Sequence, residues 1–280
     1  MFTDNIKTRN ISGQYYINTP QIQRGYYAEQ KPEPLIPEDA KPLITFGILQ
    51  TLTVLLQKAS KWCGDKLMQG KEFTTRENIE KAAEHMLSSN NLKDKINVEY
   101  ITTSNAQQIA RKYGQNNYEF LKILTPVAKG ENAFYADGLK LAVAPKSKPS
   151  LILHELGHAV NANKGKFLKY LQKSKSKIAN LTPALLLLNS IAPKEKGKKT
   201  FLEKYAGLIG FGAFLPTIIE EGIASVRGVK AAKKIQKTVD KTIKLAPLKR
   251  NYFFAWMTYL IAGLIFGTGV HLNMMDFRNK

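Results

Sequence analysis

The spacing of apolar and polar positions divides the chain into three regimes. Residues 1–41 carry no hydrophobic period and end in the proline-spaced run "KPEPLIPEDAKP", which predicts an extended or disordered arm. Between 42 and 180 helical and strand patterns alternate. The uncharged run "PLITFGILQTLTVLLQ" (42–57) is long enough for a buried helix but short of the roughly 20 residues a span needs. Residues 74–91 read as an amphipathic helix, with Thr75 as N-cap and Ile79, Ala82, Ala83, Met86 and Leu87 on one side. His85 falls among the charged positions of that helix, a surface histidine. "KINVEYITT" (95–103) alternates as a strand, and "NAFYADGLKLAVAP" (132–145) places two β-prone runs around Asp137-Gly138, a pair suited to a tight hairpin turn with positive φ. Pro149 and Ser150 then open a further helix.

After residue 180 the pattern becomes almost purely apolar. "LTPALLLLNSIAP" (181–193) and "AGLIGFGAFLPTII" (206–219) flank a lysine-rich connection. Each is about 20 Å long as a helix, below the ~30 Å of bilayer hydrocarbon, so they are expected to form a shallow or re-entrant hairpin, 181–219. From Tyr252 to Met275 no residue carries a formal charge, aromatics crowd the entrance and glycines lie within, which predicts a transmembrane helix over 251–275. The expected fold class is α+β, mostly helical, with a small antiparallel sheet and membrane-associated helices. The expected organisation is an arm (1–41), a main domain (42–250) containing the hairpin, and the C-terminal span.

Charge and composition narrow the partners. The formal charge of the 280 residues is +20, and residues 161–250 alone hold 20 Lys or Arg against 5 Asp or Glu. Lysines make up 35 of the 42 basic residues. Reading of base edges leans on bidentate arginine, so this excess points to anionic lipid or phosphate rather than to sequence-specific nucleic acid. A lipid bilayer is therefore an expected partner and nucleic acid is not. Cys63 is the single cysteine, which rules out an intramolecular disulfide and a cysteine-built metal site. The stretch "MFTDNIKTRN" has no apolar core of a secretory signal, so membrane insertion is expected to rest on internal segments.

The candidate chemistry lies in "SLILHELGHAVNAN" (150–163). Two of the four histidines of the chain stand here, four positions apart. On a helix His154 and His158 project from one face, one turn apart, a spacing that lets two imidazoles reach one Zn²⁺. Glu155 is offset by about 100°, placed to touch a zinc-activated water as general base rather than to ligate. Gly157 has no Cβ and allows another backbone close by. A third ligand is required, and "LPTIIEEGIASVRG" (215–228) offers Glu220 or Glu221 in a region poor in acids. Glu221, Ala224 and Ser225 share a helix face. A buried unpaired carboxylate costs several kcal/mol, which a metal cation would offset.

These two motifs together, "HELGHA" and then Glu-x-x-Ala-Ser with an arginine two positions on, resemble the YugP-like neutral zinc metallopeptidases. They are similar, more distantly, to the membrane-bound CAAX prenyl-protein peptidases and their bacterial heat-shock relatives. The resemblance covers roughly residues 130–230. It implies a zincin-like catalytic domain of the gluzincin kind, with one Zn²⁺ held by His154, His158 and Glu221 and with Glu155 as base. "ENAFYADGLKLAVAP" looks like the strand that precedes the zinc helix in such families. The chain departs from the YugP-like pattern at Asn161, Gly222-Ile223 and Gly228. For the transition-state oxyanion the nominees are Arg227 and Tyr135.

The function expected on this reading is a membrane-anchored zinc metalloendopeptidase acting on a protein or peptide substrate. Two other readings stand beside it: a catalytically silent zinc-stabilised scaffold, and a basic membrane-surface or nucleic-acid binder in which HELGH is accidental. A structural zinc site usually completes four protein ligands, whereas three are visible here. The lysines of 230–250 immediately precede the C-terminal span, which by the positive-inside tendency puts them on the cytoplasmic side, together with the zinc motifs if 181–219 forms a hairpin that dips in and returns.

Overall fold

The computed structural model describes residues 40–114, 118–174, 178, 180–193 and 198–275; the expected arm, apart from its last residues, lies outside them. The described residues are mostly helical, with one small sheet, an α+β arrangement. Helix α1 (Lys41–Met68) is followed by α2 (Arg76–Ser88), β1 (Asn97–Ile101), α3 (Ala106–Gly114), α4 (Tyr118–Ala128), β2 (Phe134–Ala136) and β3 (Leu141–Pro145). Then come α5 (Leu151–Asn163), α6 (Lys166–Ser174), α7 (Leu181–Ile191), α8 (Phe201–Thr238) and α9 (Ala246–Met274).

The sheet is mixed, not purely antiparallel as expected. Its order is β1-β3-β2, with β3 antiparallel to β2 but parallel to β1. The helices α3 and α4 lie between β1 and the hairpin and return the chain for a parallel pairing, which needs such a crossover. The hairpin itself forms around one 3₁₀ turn, Asp137–Leu139, and its positive φ falls at Lys140 (φ 50°) rather than at Asp137-Gly138. Every residue of β3 is buried. Alternation sends Leu141 and Val143 to a core shared with α3 and α4, and Ala142 and Ala144 to the main core around α2, α5 and α8. Helix α2 forms as expected: Thr75 accepts from the Asn78 amide, all five apolar positions are buried, and His85 is exposed.

Among the described residues, three helices are long and apolar enough to cross a membrane: residues Leu43–Met68 of α1, α8 and α9. The run 42–57 is thus not a buried helix. The apolar pattern continues through Trp62 and Leu67, and none of that apolar window of α1 is buried in the protein. Nor do 181–193 and 206–219 form a separate hairpin. Residues 206–219 are the first half of α8, which continues without a break through Pro216 and the two glutamates. The start of α8 is fixed by a capping box, in which Thr200 accepts from the Glu203 amide (3.1 Å) while Glu203 accepts from the Thr200 amide (2.9 Å). Asn189 of α7 bonds both side chains, joining α7 to that start.

Helices α8 and α9 run antiparallel. Gly207 lies against His271 and Gly267 at one end, and Gly228 against Tyr252 at the other. A Cβ on Gly267 would stand 2.7 Å from the Gly207 carbonyl oxygen, a close approach between helices that residues without a Cβ permit. Helix α1 packs along α9, with Trp62 edge-on to Phe254 at 5.4 Å between centroids. Lys148, just before α5, donates to the Leu67 and Met68 carbonyls at the end of α1. The loop that launches α5 is thereby tied to the helix bundle.

Candidate metal centre

Helix α5 sits between β3, α2 and α8, and residues 152–162 of it are buried. Its first turn is anchored twice at Ser150: the hydroxyl donates to Glu72 Oε1 (3.0 Å), and the carbonyl accepts from the Tyr252 hydroxyl of α9 (2.7 Å). Farther along, the two helices nearly touch. A Cβ on Gly157 would lie 2.4 Å from the Ala224 carbonyl oxygen. This contact brings the histidine face of α5 against the glutamates of α8.

His154, His158 and Glu221 converge there, all buried. His154 Nε2 and His158 Nε2 are 3.1 Å apart, and Glu221 Oε2 lies 3.1 Å from the first and 3.4 Å from the second. Ligands at 2.0–2.1 Å in a tetrahedral shell are separated by about 3.3 Å. The triangle therefore matches one face of such a shell, and its two nitrogens and one oxygen suit zinc or another borderline cation. His154, His158 and Glu221 thus fit a metal ion.

The second nitrogen of each ring is engaged so as to aim Nε2 at the triangle. His158 Nδ1 lies 2.7 Å from Glu220 Oε1, which as a carboxylate oxygen can only accept. His154 Nδ1 lies 3.1 Å from Ser225 Oγ. With both Nδ1 atoms protonated, both Nε2 lone pairs face inward, the tautomer that metal-ligating histidines adopt. Glu220 is 0% exposed; its Oε1 also accepts from Asn161 Nδ2 (3.0 Å), and Asn161 Oδ1 in turn accepts from Arg227 Nε (2.7 Å). An Arg227–Asn161–Glu220–His158 chain thus leads to the triangle. Glu220, the alternative ligand from the sequence, is a support for His158 rather than the third corner.

Electrostatics favour a positive charge at this point. Burial alone would push the His158 pKa down, but the hydrogen bonds to Glu220 and Glu221 and the nearby charges of Glu155 and Glu221 more than offset it and lift it to about 10. A proton or a metal cation meets that requirement. Glu155 is buried at 7% exposure, and its charge acts on His158 of its own helix and on Tyr252.

Arg227 and Tyr135 are held elsewhere. Arg227 binds Asn161, and Tyr135 donates to Asp137 Oδ1 (2.9 Å) in the hairpin, where burial and that carboxylate raise its pKa. Two tyrosines that sequence reasoning missed stand closer. The Tyr252 ring is 5.6 Å from His154, and Tyr259 forms a side-chain hydrogen bond with Glu221. Both sit in the apolar α9 run, where an aromatic residue gives no separate signal.

Comparison with protein-family models, with curated proteins and with solved structures finds no match to this chain.

Proposed function

We propose that the chain is a membrane-embedded zinc metallopeptidase of the gluzincin kind, holding one Zn²⁺ through His154, His158 and Glu221 in a zincin-like domain. The observation that carries this reading is the triangle itself, three inward-facing donor atoms 3.1–3.4 Å apart from helices 67 positions distant. Held by His154, His158 and Glu221, zinc would supply Lewis-acid activation of water. Glu155, one position past His154, takes a proton from the attacking water and returns it to the leaving amine of the peptide. Glu220, Asn161 and Arg227 hold His158 in its tautomer, and Ser225 does the same for His154. Three protein ligands leave one position open, which favours catalysis over a silent scaffold.

The site lies toward one end of the α8 span, next to the basic stretch that begins at Arg227. By the positive-inside tendency that end faces the cytoplasm, and the substrate is a protein or peptide reaching the membrane surface there. The test is metal content by mass spectrometry together with cleavage of casein in detergent, for wild type, Glu155→Gln and His158→Ala. Wild type and Glu155→Gln are expected to carry zinc and His158→Ala to lose it. Glu155→Gln should lose roughly 10²–10⁴-fold in rate. Zinc-loaded Glu155→Gln with undiminished cleavage would sink the mechanism. Equal metal in all three proteins would sink the site.

A further inference from the structure

Outside the metal triangle, α8 and α9 enclose a groove of about 1010 Å³. Its α8 wall is one helical stripe, Ile219, Ile223, Val226, Lys230 and Lys233, at spacings of four and three. The α9 wall is a matching stripe of Lys249, Phe253 and Trp256. Because the helices run antiparallel, both stripes change from apolar to basic at the same level. Trp256 Nε1 donates to the Ile218 carbonyl (3.0 Å) at the apolar end, and Lys249 lies toward Lys230 and Lys233 at the other. Ile219, Val226 and Phe253 are about half exposed to solvent (46%, 52% and 53%).

We propose that this groove binds one anionic phospholipid, its phosphate held by Lys230, Lys233, Lys249 and Arg227 and an acyl chain lying along Ile219, Ile223, Phe253 and Trp256. Three observations select this occupant. The lining holds four cations and no carboxylate, so it complements an anionic headgroup and offers no carboxylate to a zwitterionic one. Among the described residues none of the three lysines is in an ion pair. From Ile219 to Lys230 is about 16 Å along the helix, close to one leaflet of a ~30 Å hydrocarbon layer. Ser225, which orients His154, and Tyr252, whose ring is tilted against His154 at 5.6 Å, also line the groove, so the bound lipid abuts the metal centre. The inference stands whether or not the site cleaves peptides.

The chain has two tryptophans, so in a Trp62→Phe background Trp256 alone emits. The protein is reconstituted into vesicles containing phosphatidylglycerol or phosphatidylcholine brominated on the acyl chain, at equal mole fraction. Brominated phosphatidylglycerol is expected to quench Trp256 at much lower mole fraction. Replacing Lys230, Lys233 and Lys249 by Gln should weaken that preference by roughly fivefold per lysine removed. The single Lys249→Gln variant gives the graded intermediate if the triple variant does not fold. Equal quenching by the two lipids in the parent overturns the proposal, because annular contact alone explains it. A preference unchanged by the lysine substitutions overturns it as well.

Discussion

Glu220 and Glu221 differ by one position and therefore by about 100° around α8, and that rotation separates their roles. Glu221 turns its Oε2 to both imidazole Nε2 atoms, while Glu220 reaches behind His158 to Nδ1. Supports of the second kind commonly govern metal affinity about 10–100-fold. Asn161→Ala is accordingly expected to weaken zinc affinity by that range in a competitive chelator titration. Asn163→Ala, which removes bonds to the Ala159 carbonyl and to Tyr135, should leave it unchanged. At the other end of α5, burial raises the Glu72 pKa despite its bonds to Ser150 and the nearby Lys148. A carboxyl whose folded pKa lies above its unfolded value costs stability at neutral pH, a cost that disappears once it is protonated in both states. Glu72→Gln should raise the melting temperature at pH 7, and the gain should shrink as pH falls through the raised folded pKa and vanish below the ordinary carboxylate pKa near 4.5.

Between elements, the contact that decides the site is Gly157 against Ala224. A methyl group on Gly157 would meet backbone atoms at 2.4–2.9 Å, and backbone cannot swing aside as a side-chain tip can. Gly157→Ala should push α5 from α8, open the triangle, and cost roughly 1–3 kcal/mol with loss of bound zinc. Gly212→Ala lies on α8 with nothing within 4 Å and serves as the control, expected to keep both metal and stability. Calorimetry and metal analysis of the two variants check this pair. The same logic explains why α5 can be buried almost all round while carrying four buried polar side chains: His154, His158 and Asn161 each meet a partner on α8 rather than solvent.

For the whole molecule, the antiparallel pair α8 and α9 places Lys204 and Lys249 at opposite ends. Lys204 and Gly228, which packs against Tyr252, are separated by roughly 36 Å of helix axis, more than the ~30 Å hydrocarbon layer. With Cys63→Ser as a cysteine-free parent, Lys204→Cys and Lys249→Cys in oriented membranes are expected to label from opposite faces with an impermeant maleimide. Labelling of both from the same face would show that α8 dips and returns. The candidate metal centre, about 26 Å along α8 from Lys204 and about 14 Å from Lys230, lies nearer the Lys249 face.

What the sequence determined by itself was local. The N-cap and buried face of α2, the helix carrying HELGH with its histidines one turn apart, the existence of a hairpin before it and an apolar C-terminal helix all follow from spacing within a few turns. The Thr200-x-x-Glu203 capping box was also written there, and it marks the true start of α8. Tertiary structure alone decided the rest, because pairing partners and helix rotations depend on contacts between distant segments. The parallel register of β1 needed the α3–α4 crossover, and among the described residues the apolar window of α1 stays unburied although the helix packs along α9. The division of labour between Glu220 and Glu221 needed the approach of α5 to Ala224, which no periodicity in either helix encodes.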